Sequence, residues 1–139
     1  MPLLLAALVL FFALLAATSA YALRKGGKDE RQGIAALLAA VLLTQVAAQW
    51  GPGWNGPEIG VMVVDSALFI AFVAIAYRSR KFWPIWAAAS QLVAVLTHWV
   101  VILNPSIVRT VYATAQPFWV FPVIIAIALG TRAHQRSLQ

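Results

Sequence analysis

The sequence predicts an all-α integral membrane bundle of five transmembrane helices, with the N-terminus outside and the C-terminus cytoplasmic. Three observations predict it. Of 139 residues, 63% are apolar and 10% charged, against about 45–50% and about 25% in an ordinary soluble domain. The apolar residues fall into five runs close to the roughly 20 residues that a helix needs to cross the hydrocarbon. The basic residues cluster between alternate runs, as loops facing the cytoplasm do.

The spans are placed at 3–23, 34–50, 59–77, 82–103 and 111–130, so residues 1–139 form a single transmembrane domain. Each break carries chemistry that ends a helix. A charged run covers 24–31, and Gly51-Pro52-Gly53-Trp54-Asn55-Gly56-Pro57 forms a turn. Arg78-Ser79-Arg80-Lys81 makes a basic knot, and Asn104-Pro105-Ser106 closes the fourth span.

The first loop holds Arg24, Lys25, Lys28 and Arg31, the third Arg78, Arg80 and Lys81, and the tail Arg132 and Arg136. Only Arg109 lies on the other side, so nine of ten basic residues share one face of the membrane. Ala20-Tyr21-Ala22 resembles the cleavage site of a secretory signal. The missing basic n-region, and the inverted charge pattern that cleavage would cause, favour a retained first span.

A formal charge of +6 does not indicate nucleic acid, because these cations flank spans instead of lining one face among aromatic readers. Absence of cysteine excludes disulfides, thiolate metal sites, cysteine nucleophiles and palmitoyl anchors. Gly26-Gly27-Lys28 lacks the spacing of a phosphate loop and reads as a flexible basic turn that meets anionic lipid. No His-Glu-x-x-His pair or Gly-x-Ser-x-Gly elbow is present, and His98 lacks a second haem ligand. No catalytic residue, metal or cofactor is therefore expected.

Helices in lipid associate through small residues and interhelical hydrogen bonds. Ala35, Ala36, Ala39, Ala40, Ala67, Ala71, Ala74, Ala87, Ala88, Ala89, Ser90 and Ala94 recur at such spacing. The first span, with only Thr18 and Ser19 as polar groups in its body, is expected at the bundle edge or packed against a partner. Trp50, Trp54, Trp83 and Trp86 are expected in interfacial aromatic belts.

The sharpest signal is a polar cluster in the outer leaflet. Asp65 is the only acidic residue within a span, where a carboxylate costs about 2.5–3.5 kcal/mol. His98, Gln45 and Gln49, and the stripe Arg109, Tyr112, Gln116 are expected at a similar depth, and Gln91 shares a face with His98. Two readings follow: an Asp65–Arg109 ion pair with hydrogen-bonded glue, or an outward-open pocket that binds a small ligand or handles a proton. Pro117 and Pro122, placed within the fifth span, are hinge candidates.

The segment from Asp65 through Arg78-Ser79-Arg80-Lys81-Phe82-Trp83-Pro84, Thr97-His98, residues 112–119 and Gly130-Thr131-Arg132 resembles a family of small uncharacterised polytopic membrane proteins of alphaproteobacteria. That resemblance implies a multi-pass protein of the bacterial inner membrane and no particular activity. The leading expectation is a non-enzymatic accessory, interaction or scaffold subunit whose partner is the bilayer, a membrane protein or a second copy, with no nucleic acid. The alternative is a ligand-binding, sensing or transport-like module built on Asp65, His98 and Arg109.

Overall fold

The computed structural model describes residues 2–50, 58–104 and 116–139, and of residues 2–4, 116 and 117 only the backbone. Its helices are α1 (Pro2–Lys25), α2 (Lys28–Trp50), α3 (Ile59–Arg78), α4 (Trp83–Leu103) and, after a 3₁₀ turn at Gln116–Trp119, α5 (Val120–Ser137). The first four are long and apolar enough to cross a membrane. Neighbours in sequence pack side by side, α5 returns against α1, and α2 also touches α5. The result is a closed ring of helices with α1 seated over the α2–α5 seam.

Helix boundaries differ from the sequence expectation in α2 and α5. α2 begins at Lys28, six residues before the expected start at 34, because only Gly26 and Gly27 interrupt the chain. Asp29 and Glu30 occupy its first turn, where negative charge complements the helix dipole. The Glu30 carboxylate also accepts from the Gly27 N–H at 3.0 Å, the reach-back half of a capping box. α5 runs to Ser137, so the expected tail is helical, and residues 111–115 lie outside the described residues.

Pro122 stands in the first turn of α5, and Pro117 in the preceding 3₁₀ turn. A proline in a first turn removes an N–H that had no partner there. Pro122 thus helps start this helix and does not interrupt it.

Each helix buries one narrow stripe and exposes the rest. On α4 the stripe is Trp83, Ala87, Gln91, Ala94 and His98, and on α3 it is Val61, Leu68, Phe72 and Ile75. On α2 it is Glu30, Gly33, Ile34, Leu37 and Ala40. The outward faces are apolar as well: Leu42 is 69% exposed, Ile70 64% and Ile125 55%. Of the small residues, Ala40, Ala87, Ala88 and Ala94 lie in the interior, while Ala35, Ala39, Ala67 and Ala74 face outward. α1 contributes Leu15, Thr18, Ser19 and Ala22 to the interior and exposes Leu8, Val9 and Phe12, as an edge helix does.

Trp83 corrects the belt expectation. Trp50 and Trp86 are exposed, but Trp83 is 4% exposed. Its indole lies between Gly33 of α2 and Gly130 of α5, where a methyl group at either position would overlap the ring. Phe72 of α3 meets it edge-on, with ring centroids 6.3 Å apart. One side chain of α4 therefore touches three other helices, and two glycines make the room.

Gly130→Val is expected to destabilise the fold by about 1–3 kcal/mol, the usual range for overpacking, while Ala67→Val on the exposed face of α3 leaves it unchanged. Thermal unfolding in detergent compares them, and equal midpoints would contradict the packing described.

Candidate functional site

Among the described residues, the buried polar side chains that hydrogen-bond between segments form two groups, one toward each end, while Ser19 and Thr131 bond carbonyls of their own helices. The first lies at the basic end, where the C-termini of α1, α3 and α5 meet the start of α2. Glu30 is fully buried. Its Oε1 accepts from Lys81 Nζ at 2.8 Å and from Trp83 Nε1 at 2.7 Å. Its Oε2 accepts from Lys81 Nζ at 2.7 Å and from the Gly27 N–H at 3.0 Å.

Around this core, Ser79 Oγ donates to Asp29 Oδ2 at 2.9 Å and accepts from the Lys81 N–H at 3.1 Å. Arg78 Nη2 donates to Gln32 Oε1 at 3.0 Å, and Gln135 Nε2 donates to the Lys25 carbonyl. The segment 78–81 is thereby bound to the first turns of α2. A carboxylate that accepts four hydrogen bonds from three donor groups needs no water or ligand to compensate its burial.

Sequence reasoning missed this group because residues 24–31 read as one charged loop. Two signals mark it. Glu30 stands three residues after Gly27, at capping-box spacing, and it heads the row Glu30, Gly33, Leu37, Ala40 on one helical face.

The second group lies toward the other end, between α3 and α4. Asp65 follows Val61 by four residues and precedes Leu68 and Phe72 by three and seven, so it shares their inward stripe. Its Oδ2 is 2.8 Å from His98 Nε2, and its Oδ1 accepts from Gln91 Nε2 at 3.0 Å. Gln91 Nε2 also lies 3.3 Å from the Asp65 carbonyl. His98 is 2% exposed and the Asp65 side chain 17%. The seven-residue spacing of Gln91 and His98, two turns of helix, brings both against one carboxylate.

Asp65, His98 and Gln91 are thus together. Gln45 and Gln49 are not with them, since both lie on the exposed face of α2. Their periodicity continues the outward face and misses the stripe that runs from Glu30 to Ala40. Arg109 and Tyr112 lie outside the described residues, as does the side chain of Gln116, whose backbone is in the 3₁₀ turn. Nearby, Trp119 Nε1 is buried without a hydrogen-bond partner among the described residues. Among those residues, no three His, Asp, Glu or Cys side chains converge as metal ligands do.

Comparison with protein-family models, with curated proteins and with solved structures gives no match for this chain.

Lys81→Ala leaves the Glu30 carboxylate buried without its cation, at an expected cost of about 3–5 kcal/mol. Arg80→Ala, on an exposed neighbour, changes stability by less than about 0.5 kcal/mol. Chemical denaturation in detergent reads both, and similar losses for the two would overturn the role given to Lys81.

Proposed function

We propose that this chain is a small multi-pass protein of the bacterial inner membrane that acts without catalysis, as an accessory or scaffold subunit. The proposal includes the expected family resemblance, with the N-terminus outside and the basic end in the cytoplasm. One observation carries the non-enzymatic reading: every oxygen of the two inward-facing carboxylates is engaged by the chain's own groups. Glu30 is held by Lys81, Trp83 and Gly27, and Asp65 by His98 and Gln91.

A catalytic acid or a ligand-binding carboxylate needs an oxygen directed at substrate or water, and a site poised for proton transfer needs a path to it. These carboxylates instead join helices. Hydrogen bonds of this kind are what associates helices in lipid, where burial of apolar surface contributes little.

Membrane placement is supported by the apolar outer faces of α1 to α4 and by the charge distribution. Arg24, Lys25, Lys28, Arg31, Arg78, Arg80, Lys81, Arg132 and Arg136 all lie on segments that meet at the Glu30 end. Such an excess of cations marks the cytoplasmic side. α5 is shorter and more polar toward its C-terminus. In this reading it enters from the outer side at the 3₁₀ turn and carries Arg132, His134 and Arg136 into the inner headgroup layer.

The sequence has no cysteine, so single cysteines test placement and pocket together. With a membrane-impermeant maleimide, Glu58→Cys is expected to label in intact spheroplasts and Arg80→Cys only after the membrane is opened. His98→Cys is expected to stay unlabelled in both until denaturant is added. Exchange of the first two results would reverse the orientation, and prompt labelling at position 98 in the folded protein would replace the scaffold reading with a water-filled binding pocket.

A further inference from the structure

A groove of about 660 Å³ runs between α4 and α5 on the outside of the bundle. Its walls include Trp86, Pro122, Ile125 and Leu129, its floor Trp83 and Gly130, and its mouth Lys81, His134 and Ser137 at the basic end. From Pro122 to Ala133 the groove follows α5 for eleven residues, or about 16 Å at 1.5 Å per residue. Half of a hydrocarbon core about 30 Å thick is about 15 Å. The groove is therefore one leaflet deep and mostly apolar along its length, with Ser90 on one rim and its charged and most polar residues at the mouth.

We infer that this groove holds one acyl chain of an anionic phospholipid from the leaflet at the basic end, with the headgroup phosphate at its mouth. The inference rests on the membrane reading above. Charge complementarity selects the lipid. The end that carries the mouth has nine basic residues, Arg24, Lys25, Lys28, Arg31, Arg78, Arg80, Lys81, Arg132 and Arg136, against the two acids Asp29 and Glu30. Both acids are engaged, Asp29 by Ser79 and Glu30 by Trp83, and both pair with Lys81, so the surplus positive charge at this end comes from the other eight basic residues. Basic recesses between helices on the cytoplasmic side attract anionic headgroups in this way.

The indole of Trp83 packs directly against Gly130, and Trp86 and Leu129 line the cleft beside that contact. A bound chain would cover Trp86 and Leu129, 63% and 57% exposed in the bundle alone.

Native mass spectrometry of the full chain in detergent, with phosphatidylglycerol or phosphatidylethanolamine of identical chains added, tests this. Phosphatidylglycerol is expected to be retained about fivefold more, the contribution of one basic side chain near a headgroup. Ala133→Phe and Ser90→Phe, which fill the groove from its rim, are expected to remove that preference while both proteins keep the wild-type unfolding midpoint. A photoactivatable acyl chain on phosphatidylglycerol is expected to cross-link unaltered protein within 86–90 or 122–133.

Equal retention of the two lipids, a preference that survives both fillings, or cross-links confined to other segments would each overturn the inference. So would a dimer that disappears on filling the groove, since the occupant would then be a second copy. These failures are distinct from failure of the membrane reading, which shows as protein released from membranes by alkaline carbonate.

Discussion

The bundle depends on one indole and one carboxylate. Trp83 fits between two glycines of α2 and α5, presents its edge to Phe72 of α3, and gives its N–H to Glu30. In the proposed membrane setting lipid does not drive helices together, so shape and hydrogen bonding must do so. Here both reside in the same side chain. The glycines let the backbones of α2 and α5 approach the ring, and the hydrogen bond fixes its rotation.

Glu30 then commits the loop as well as the helices. Its second oxygen caps α2 through Gly27, and both oxygens hold the Lys81 ammonium. Burying these charges is costly, and the geometry offsets it only because all the donors are present at once. In the Asp65 group the described contacts bring two side chains of α4, Gln91 and His98, against one carboxylate of α3. One end of the molecule is thus joined across four helices, whereas the described polar contacts of the other join two. The groove between α4 and α5 has Trp83 and Gly130 of this first arrangement in its lining.

Much of this was legible in the sequence where the signal was apolar length or helical spacing. The extents of α1, α3 and α4 follow from their hydrophobic runs, and Gln91 with His98 on one face follows from the interval of seven. The convergence of Asp65 and His98 was expected from depth, counted from opposite helix ends. Gln45 and Gln49 show why depth alone is insufficient: they lie at a suitable level but on the outward face. Glu30 shows the converse. A carboxylate within a charged run looks solvated, and nothing local says that a tryptophan 53 positions later supplies its burial. The start of α5 was obscured by an apolar run continuing through Pro117 and Pro122, whose fixed geometry suits a first turn better than an interior.

The most direct test of the central interaction is a double-mutant cycle on the unfolding free energy of Glu30→Met and Trp83→Phe in detergent. Contacting residues in one network couple by about 0.5–3 kcal/mol, and independent sites add to within about 0.3–0.5 kcal/mol. A coupling above about 1 kcal/mol is the result predicted here. Additivity to within about 0.3 kcal/mol would show that the indole and the carboxylate act separately, and the wedge at the basic end would not be what holds the four helices together.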